Sequence, residues 1–391
     1  MIMATDNKNK VLNVPNLRFP EFTEEWRKYK VSDVLDFYST NSLSWEQLDY
    51  NNEDLYNLHY GLIHVGLPIL VDIGQNKLPG IKTECKPKNF ELCKEGDVAF
   101  ADASEDTNDV AKAIEFVNLN NHKTVCGLHT IHGRDNKHLT VLGYKGYAFA
   151  SPLFHNQIRR IAQGTKIYSI SSKNFAECYI GIPSKDEQSK IARLLALIDS
   201  RIATQNKIIE QLQSLIKGIV VLITAETPNA RIDKCLVCHS STLQENNIED
   251  FGDFPVYGAN GICGYTVNAD FNEPAILIVK DGSGVGNVRF VNGRYSVIGT
   301  QNILTPQNEI CLKYIFYCLQ AFNFVPYKTG MAIPHIYFKD YGKAKIYCPN
   351  FEQQVKIASQ IDLIESKIEI ATQLLNKYEE QKKFLLSNMF I

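Results

Sequence analysis

One feature governs how this chain can fold: its second half repeats part of its first. The segment from Gly164 to Ile219 recurs from Gly330 to Leu385 at a constant offset of 166 residues. Identical pairs include Gly164/Gly330, Ile167/Ile333, Ile170/Ile336, Pro183/Pro349, Gln188/Gln354, Ile191/Ile357, Ala192/Ala358, Ile198/Ile364 and Ile202/Ile368. Asp199/Glu365 and Arg201/Lys367 keep the charge. An ungapped register of this length marks a duplicated half.

The later part of each copy reads as a long helix. Ile191, Leu195, Ile198, Ile202, Gln205, Ile209, Leu212, Ile216 and Ile219 step by alternating four and three. Ile357, Ile361, Ile364, Ile368, Ala371, Leu375, Tyr378, Lys382 and Leu385 do the same. Such a heptad stripe, sustained for about four heptads, wants another helix as its cover. Pro183 and Pro349 stand just ahead of the two helices, where proline is tolerated. A helix of about forty residues is roughly 60 Å long, more than an ordinary domain core needs. The partner expected is the other copy, packed antiparallel, although two amphipathic helices on separate cores is the alternative.

Ahead of each helix the pattern changes to short runs rich in Val, Ile, Tyr and Phe. Asp97–Ala101, Ala275–Val279, Val288–Val291 and Lys345–Tyr347 read as strands, and Lys313–Gln320 as a helix. The expected fold class is α+β: two mixed, mostly β domains separated by two long helices that form an antiparallel coiled coil about a pseudo-two-fold axis. The expected divisions are a tail over 1–22, a first domain over 23–183, a helix over 184–222, a linker over 223–227, a second domain over 228–349 and a second helix over 350–391.

Composition excludes several classes. The net charge of −2 shows no global basicity, so any nucleic-acid face must concentrate its cations locally. The longest apolar run, around Ile219–Ile223, is too short to span a bilayer. The polar start, with Asp6, Lys8 and Lys10, lacks a signal-peptide core, which suggests a cytoplasmic protein. The ten cysteines are then expected as reduced thiols packed like small hydrophobes.

Chemical motifs are weak. Asp281-Gly282-Ser283-Gly284-Val285-Gly286 tempts a phosphate-loop reading, but Asn287–Val291 alternates as a strand where a helix would be needed. A tight turn presenting Lys280 and Ser283 to phosphates is the better reading. Cys235-Leu236-Val237-Cys238-His239 has half of a zinc spacing and no second pair nearby, so no metal site is expected there. Asp72 with Glu84 and Lys86 resembles a metal-nuclease pattern, which keeps a metal-dependent endonuclease as one alternative; a coiled-coil protein adaptor is another. Amino-methyltransferase tetrapeptides, an ATP loop and a catalytic triad are all missing from the sequence, so no catalytic residues are expected.

Polar and aromatic residues gather before each repeated tail: Arg159, Arg160, Gln163, Gly164, Thr165, Lys166 and Tyr168 in the first half, and Tyr327, Lys328, Thr329, Gly330, His335 and Tyr337 in the second. Arg289, Gln301 and Asn302 join them as candidates. Cations and hydroxyls suit phosphates, and Arg, Gln and Asn pair with base edges.

Two divergent domains alternating with two copied helices resemble the specificity subunit of type I restriction–modification systems over almost the whole chain. The likeness rests on Trp26…Val31-Ser32-Asp33-Val34, Gly96-Asp97-Val98, Gly164-Thr165-Lys166 and Pro183…Glu187-Gln188…Ile191-Ala192 with Ile198-Asp199. In the second half it rests on Asp281-Gly282-Ser283, Gly299-Thr300-Gln301-Asn302, Gly330 and Pro349…Gln353-Gln354…Ile357-Ala358. The Trp-type opening motif is missing from the second domain at Ala230-Arg231-Ile232-Asp233. The resemblance implies two target-recognition domains that read the halves of a split site on double-stranded DNA. It implies a helical spacer that docks two methyltransferase subunits, with restriction subunits joining the full complex. It places S-adenosylmethionine, ATP and magnesium on those partners, with no cofactor on this chain.

Overall fold

The computed structural model describes residues 2–3, 13–307, 309–330 and 333–391, without the side chains of the first two and of Asn247. Asp6, Lys8 and Lys10 of the expected tail lie outside the described residues. The chain divides into two compact units, Met1–Thr204 with Leu374–Ile391, and Gln205–Gln373. The fold is α+β, and each unit holds parts of both long helices.

In the first unit a five-stranded sheet runs in the order Asp36–Tyr38, Thr130–Arg134, Val98–Ala101, Ala113–Asn118, Leu70–Asp72. The first four are antiparallel and the last is added parallel. The second unit has the order Leu236–Ser240, Gln301–Pro306, Ala275–Val279, Val288–Val291, all antiparallel. The two four-strand arrangements are the same. Each is preceded by one short strand and one helical turn: Arg27–Lys30 and Val31–Val34 in one, Ala230–Arg231 and Ile232–Cys235 in the other. The second opening therefore has the same backbone although its Trp is missing; Trp26, 2% exposed, belongs to the first core alone.

A helix carrying two tyrosines packs beside each sheet, Tyr144–Phe149 in the first unit and Leu312–Gln320 in the second. Tyr144 donates to the Gly181 carbonyl at 2.7 Å, and Tyr314 to the Tyr347 carbonyl at 2.9 Å. Tyr147 donates to Asp199 at 2.8 Å, and Tyr317 to Glu365 at 2.8 Å. Both pairs of acceptors are related by the 166-residue offset, so the conserved charge of Asp199/Glu365 has a structural cause: each carboxylate ties a long helix to its own domain.

The long helices run Lys185–Ala225 and Phe351–Asn388. Ser184 and Asn350 cap them, accepting from the amides of Glu187 and Gln353 at 3.4 and 2.9 Å. Gln188 and Gln354, both buried, reach back to the Pro183 and Pro349 carbonyls at 3.0 and 2.8 Å. Their carbonyl oxygens accept from the amides of Val141 and Cys311. Every position of the expected heptad stripe is buried or half-buried in both helices. In the first unit Ile191, Leu195 and Ile198 share a core with Leu385, Leu386 and Met389. In the second, Val220 and Ile223 share one with Ala358 and Ile361. A side chain such as Leu195, fully buried, contributes about 2 kcal/mol there.

The first long helix also corrects the reading of Ile219–Ile223. By length and composition it contains an 18-residue window apolar enough to cross a membrane, of which 11% is buried. The window passes because the apolar stripe and neutral polar residues such as Gln and Ser leave few charges, while the uninterrupted run stays short.

Candidate nucleic-acid interface

The repeated glycine motif is closed by the same backbone pairing in both units. Gln163 and Ser169 exchange backbone hydrogen bonds at 2.9 and 2.8 Å; Thr329 and His335, their counterparts at the 166-residue offset, do so at 2.9 and 2.8 Å. Each loop turns on a glycine with positive φ, 142° at Gly164 and 89° at Gly330. A Cβ there would meet the Ile167 carbonyl oxygen at 1.9 Å or the Ile333 oxygen at 2.3 Å. Only glycine accommodates both demands. Each motif leaves an isoleucine exposed, Ile167 by 62% and Ile333 by 67%. Each is then anchored by the next buried isoleucine, Ile170 or Ile336.

The anchor is also shared. The Ile170 amide donates to the Asp102 carbonyl at 3.0 Å, and the Ile336 amide to the Lys280 carbonyl at 2.9 Å. Ala103 pairs with Ser169, and Asp281 with His335. The loop Asp102–Val110 is therefore the counterpart of Lys280–Val285, an equivalence that sequence alone hid. The two differ in charge. The first carries Asp102, Glu105, Asp106 and Asp109; the second carries Lys280 and Asp281. Burial raises the Asp102 carboxyl above its ordinary range, opposed by His129 at 3.1 Å.

The structure thus brings Lys280 and Ser283 together with Thr329, Gly330 and His335, two groups that were far apart in sequence. Lys280 is half-buried, and Ser283, Lys328, Thr329 and Gly330 are exposed. Tyr327 packs on Phe322, their ring centroids 5.8 Å apart, while Tyr337 is 47% exposed, edge-on to His335. In the first unit Gln163, Gly164, Thr165 and Lys166 are exposed on the hairpin, and Tyr168 is half-buried against the core. Arg159 and Arg160 are exposed in the last turn of the helix Pro152–Ile161, and Arg159 donates to Asn108 of the acidic loop at 2.7 Å. Arg289 lies on the sheet, its guanidinium 6.0 Å from the Tyr257 ring centroid.

Gln301 and Asn302 do not belong with this surface. They are 2% and 5% exposed, and their amides donate inward to the Tyr257 carbonyl at 3.0 Å and the Tyr341 hydroxyl at 2.9 Å. They satisfy buried acceptors and are out of reach of a duplex. An aromatic group unsuspected from sequence flanks the first hairpin's anchor: Trp45 lies on His59 at 4.3 Å, His59 on Tyr60 at 4.7 Å and Tyr60 on His129 at 5.2 Å. His59, 2% exposed, has its pKa lowered by burial and then by His129. No periodicity marks these residues, because three separate segments supply them.

Asp72 accepts from the Gly74 amide and from Asn118 at 2.9 and 3.1 Å, as a turn residue does. Among the described residues neither Glu84 nor Asp72 enters a group of three or more potential metal ligands. Cys235 of the Cys-x-x-Cys segment is buried, the Cys348 thiol raises its pKa, and burial lifts Cys238 to about 11 with Lys280 pulling it down. All ten cysteines are free thiols, and Cys263 is exposed rather than packed.

The family profile described as the type I restriction modification DNA specificity domain matches residues 23–214 and 237–380. The chain belongs to that family. Its two matched segments each contain one copy of the hairpin, so the duplication is a duplication of the specificity domain. The type I restriction enzyme EcoprrI specificity subunit of Escherichia coli is 27% identical over 109 residues, 28% of this chain and 27% of that relative. The match thus spans about a quarter of the relative's length. The fold is that of the type I restriction–modification S subunit from M. genitalium, with a TM-score of 0.62, 19% identity and coverage of 97% of this chain and 99% of that one. A second chain, from work on complex assembly and conformational transition of the type I R-M system, is similar at a TM-score of 0.52 and 14% identity, covering 92% of this chain and 96% of that one.

Proposed function

We propose that this specificity subunit reads a bipartite site on double-stranded DNA, one half through residues 23–183 and the other through 228–349. One observation carries the reading: the same exposed glycine hairpin, on the same buried anchor, occurs once in each half. A reading head repeated on a repeated frame suits a split site. The flanking Arg159, Arg160, Lys166, Lys280 and Lys328 neutralise phosphates, and Thr165, Ser283, Thr329, His335 and Tyr337 approach base or sugar edges.

The long helices form an antiparallel coiled coil that serves as the spacer between the two recognition domains. They dock two methyltransferase subunits, through which restriction subunits join in the cytoplasm. The chain itself is non-catalytic. S-adenosylmethionine, ATP and magnesium belong to the partners, and the base to be methylated leaves the stack into the partner's pocket.

The test is methylation mapping across the genome of cells carrying the cognate methyltransferase subunit, with and without this chain. A split motif with a fixed gap, methylated only when the chain is present, is expected. An assembled complex with no chain-dependent methylation would remove the proposal.

A further inference from the structure

The first unit contains a buried cluster that the hairpins do not use. Cys93 Sγ, Cys126 Sγ and a ring nitrogen of His132 all lie within 4.8 Å of one another. All three residues are buried, His132 completely. The two sulfurs are 3.6 Å apart. Two thiolates on a tetrahedral cation at Zn–S distances of about 2.3 Å stand about 3.8 Å apart, so the sulfurs already have nearly the required spacing. A disulfide would need about 2.05 Å.

The histidine supplies a second, independent observation. His132 Nε2 is bonded to Asp97 Oδ2 at 2.7 Å, while Nδ1 is buried with no hydrogen-bond partner. A buried polar atom without a partner costs about 1–3 kcal/mol, so its retention calls for a reason. Metal-bound histidines characteristically place one nitrogen on a carboxylate and leave the other for the ion. Asp97 is itself fixed, accepting from Arg134 Nε at 2.8 Å and Nη2 at 2.8 Å and from the Lys94 amide at 2.8 Å.

The repeated frame shows that these groups are not needed for folding as such. Strand pairing aligns Ala99 with His132 and Leu277 with Ile303, so His132 occupies the position held by Ile303 in the second sheet. Counting back two residues on the neighbouring strand, Asp97 corresponds to Ala275. Both counterparts are fully buried in an apolar core.

We infer that Cys93, Cys126 and His132 form a structural site for a thiophilic divalent cation of the zinc class. Binding releases the two thiol protons, and two thiolates with a neutral imidazole balance the dication, leaving a neutral buried centre. Cys126 also lines a cavity of about 320 Å³ together with Asn41, Cys85 and Glu91, which supplies room for the fourth ligand. The ion would tie the Thr124–Cys126 strand, the segment before Gly96 and the central sheet together beneath the aromatic group at Trp45. This departs from the expectation that the chain carries no metal or cofactor: the ion proposed is structural, with no part in methyl transfer.

The experiment uses the full chain, untagged and reduced, with zinc as the probe. Stoichiometric zinc by elemental mass spectrometry is expected, with cobalt exchange giving thiolate charge-transfer absorption. Cys126→Ser and His132→Ala should abolish that absorption, and Cys238→Ser should leave it. Because the first two variants risk unfolding, the wild-type chain is also stripped with a chelator and retitrated with zinc, which should raise its melting temperature. Failure of the wild type to retain zinc and to gain stability on titration would overturn the site. So would a Cys93–Cys126 disulfide in the reduced preparation's peptide map, or a cobalt signal lost with Cys238→Ser and kept with Cys126→Ser.

Discussion

The two sheets solve one packing problem with opposite chemistry. At the strand facing the tyrosine helix, the first unit places Glu115 and the second Phe290. Glu115 accepts from the Gly143 and Gly146 amides at 3.0 and 2.8 Å and lies 3.1 Å from the buried Lys145. Burial pushes its pKa up, against the pull of Lys145 and the two amides. In the second unit Phe290 meets Phe316 at 5.7 Å, with the Lys313 ammonium 4.7 Å from the ring centroid. A frame can therefore be duplicated while its contents diverge, provided each replacement is complete: a carboxylate with all its donors, or a ring with its partner.

Putting leucine at both positions tests that statement and has the largest expected effect. Glu115→Leu leaves Lys145 buried without its anion and two amides without acceptors, and should cost about 3–5 kcal/mol. Phe290→Leu only shrinks an apolar contact and should cost less than about 1.5 kcal/mol. Urea unfolding of the full chain measures both. Equal costs would show that the polar anchor is no more demanding than the apolar one.

The glutamine clamps should respond alike. Gln188→Leu and Gln354→Leu each remove an acceptor for a half-buried amide and a donor to a proline carbonyl, for about 1–3 kcal/mol apiece. Gln188 also donates to the Leu139 carbonyl at 3.1 Å, where Gln354 meets the weaker Cys348 sulfur at 3.4 Å, so the loss of Gln188 should be the larger. A silent Gln354→Leu would mean that the second helix start is held by its cap alone.

Much of this frame was legible in the sequence, and the limits have identifiable causes. Ala275–Val279 and Val288–Val291 are strands with the expected bounds, since continuous apolar or alternating runs leave little choice. The heptad stripes and the Gly164/Gly330 pair share one offset, so they were visible as a repeat. The tyrosine pair recurs at a different offset, Tyr144 to Tyr314, because the loops between differ in length. The shared strand order is a matter of long-range pairing, which no local pattern reports. At the candidate site, Gln301 and Asn302 were misread because an amide's polarity does not reveal whether its partner is water, a base or a buried carbonyl. The spacing of Cys235 and Cys238 drew attention to cysteines that enter no group of three potential metal ligands among the described residues, while Cys93, Cys126 and His132 meet from three separate segments.

The hairpins themselves offer a finer comparison. Gly164→Ala and Gly330→Ala force a Cβ onto a carbonyl oxygen and a left-handed backbone, a strain of about 1–3 kcal/mol confined to an exposed loop. Each should weaken DNA binding by the assembled complex about tenfold, with the melting temperature nearly unchanged. Intact affinity in one variant would assign that hairpin to a role other than DNA contact.

The smallest effects come from single cations, and there the acidic loop makes the halves unequal. Lys166→Ala and Lys328→Ala should each weaken binding uniformly across sequences and reduce the salt dependence by about one counterion, with assembly intact. Lys166 works beside a hairpin whose neighbouring loop carries Glu105 and Asp106, whereas the equivalent loop near Lys328 carries Lys280. Glu105→Gln with Asp106→Asn should therefore tighten binding, most at low salt, where repulsion between the loop and the phosphates is least screened. Filter binding over a salt series separates the outcomes. A lysine change that breaks assembly would make that residue structural. A neutralised loop that leaves both affinity and salt slope unchanged would place the first hairpin's acidic neighbour away from the duplex.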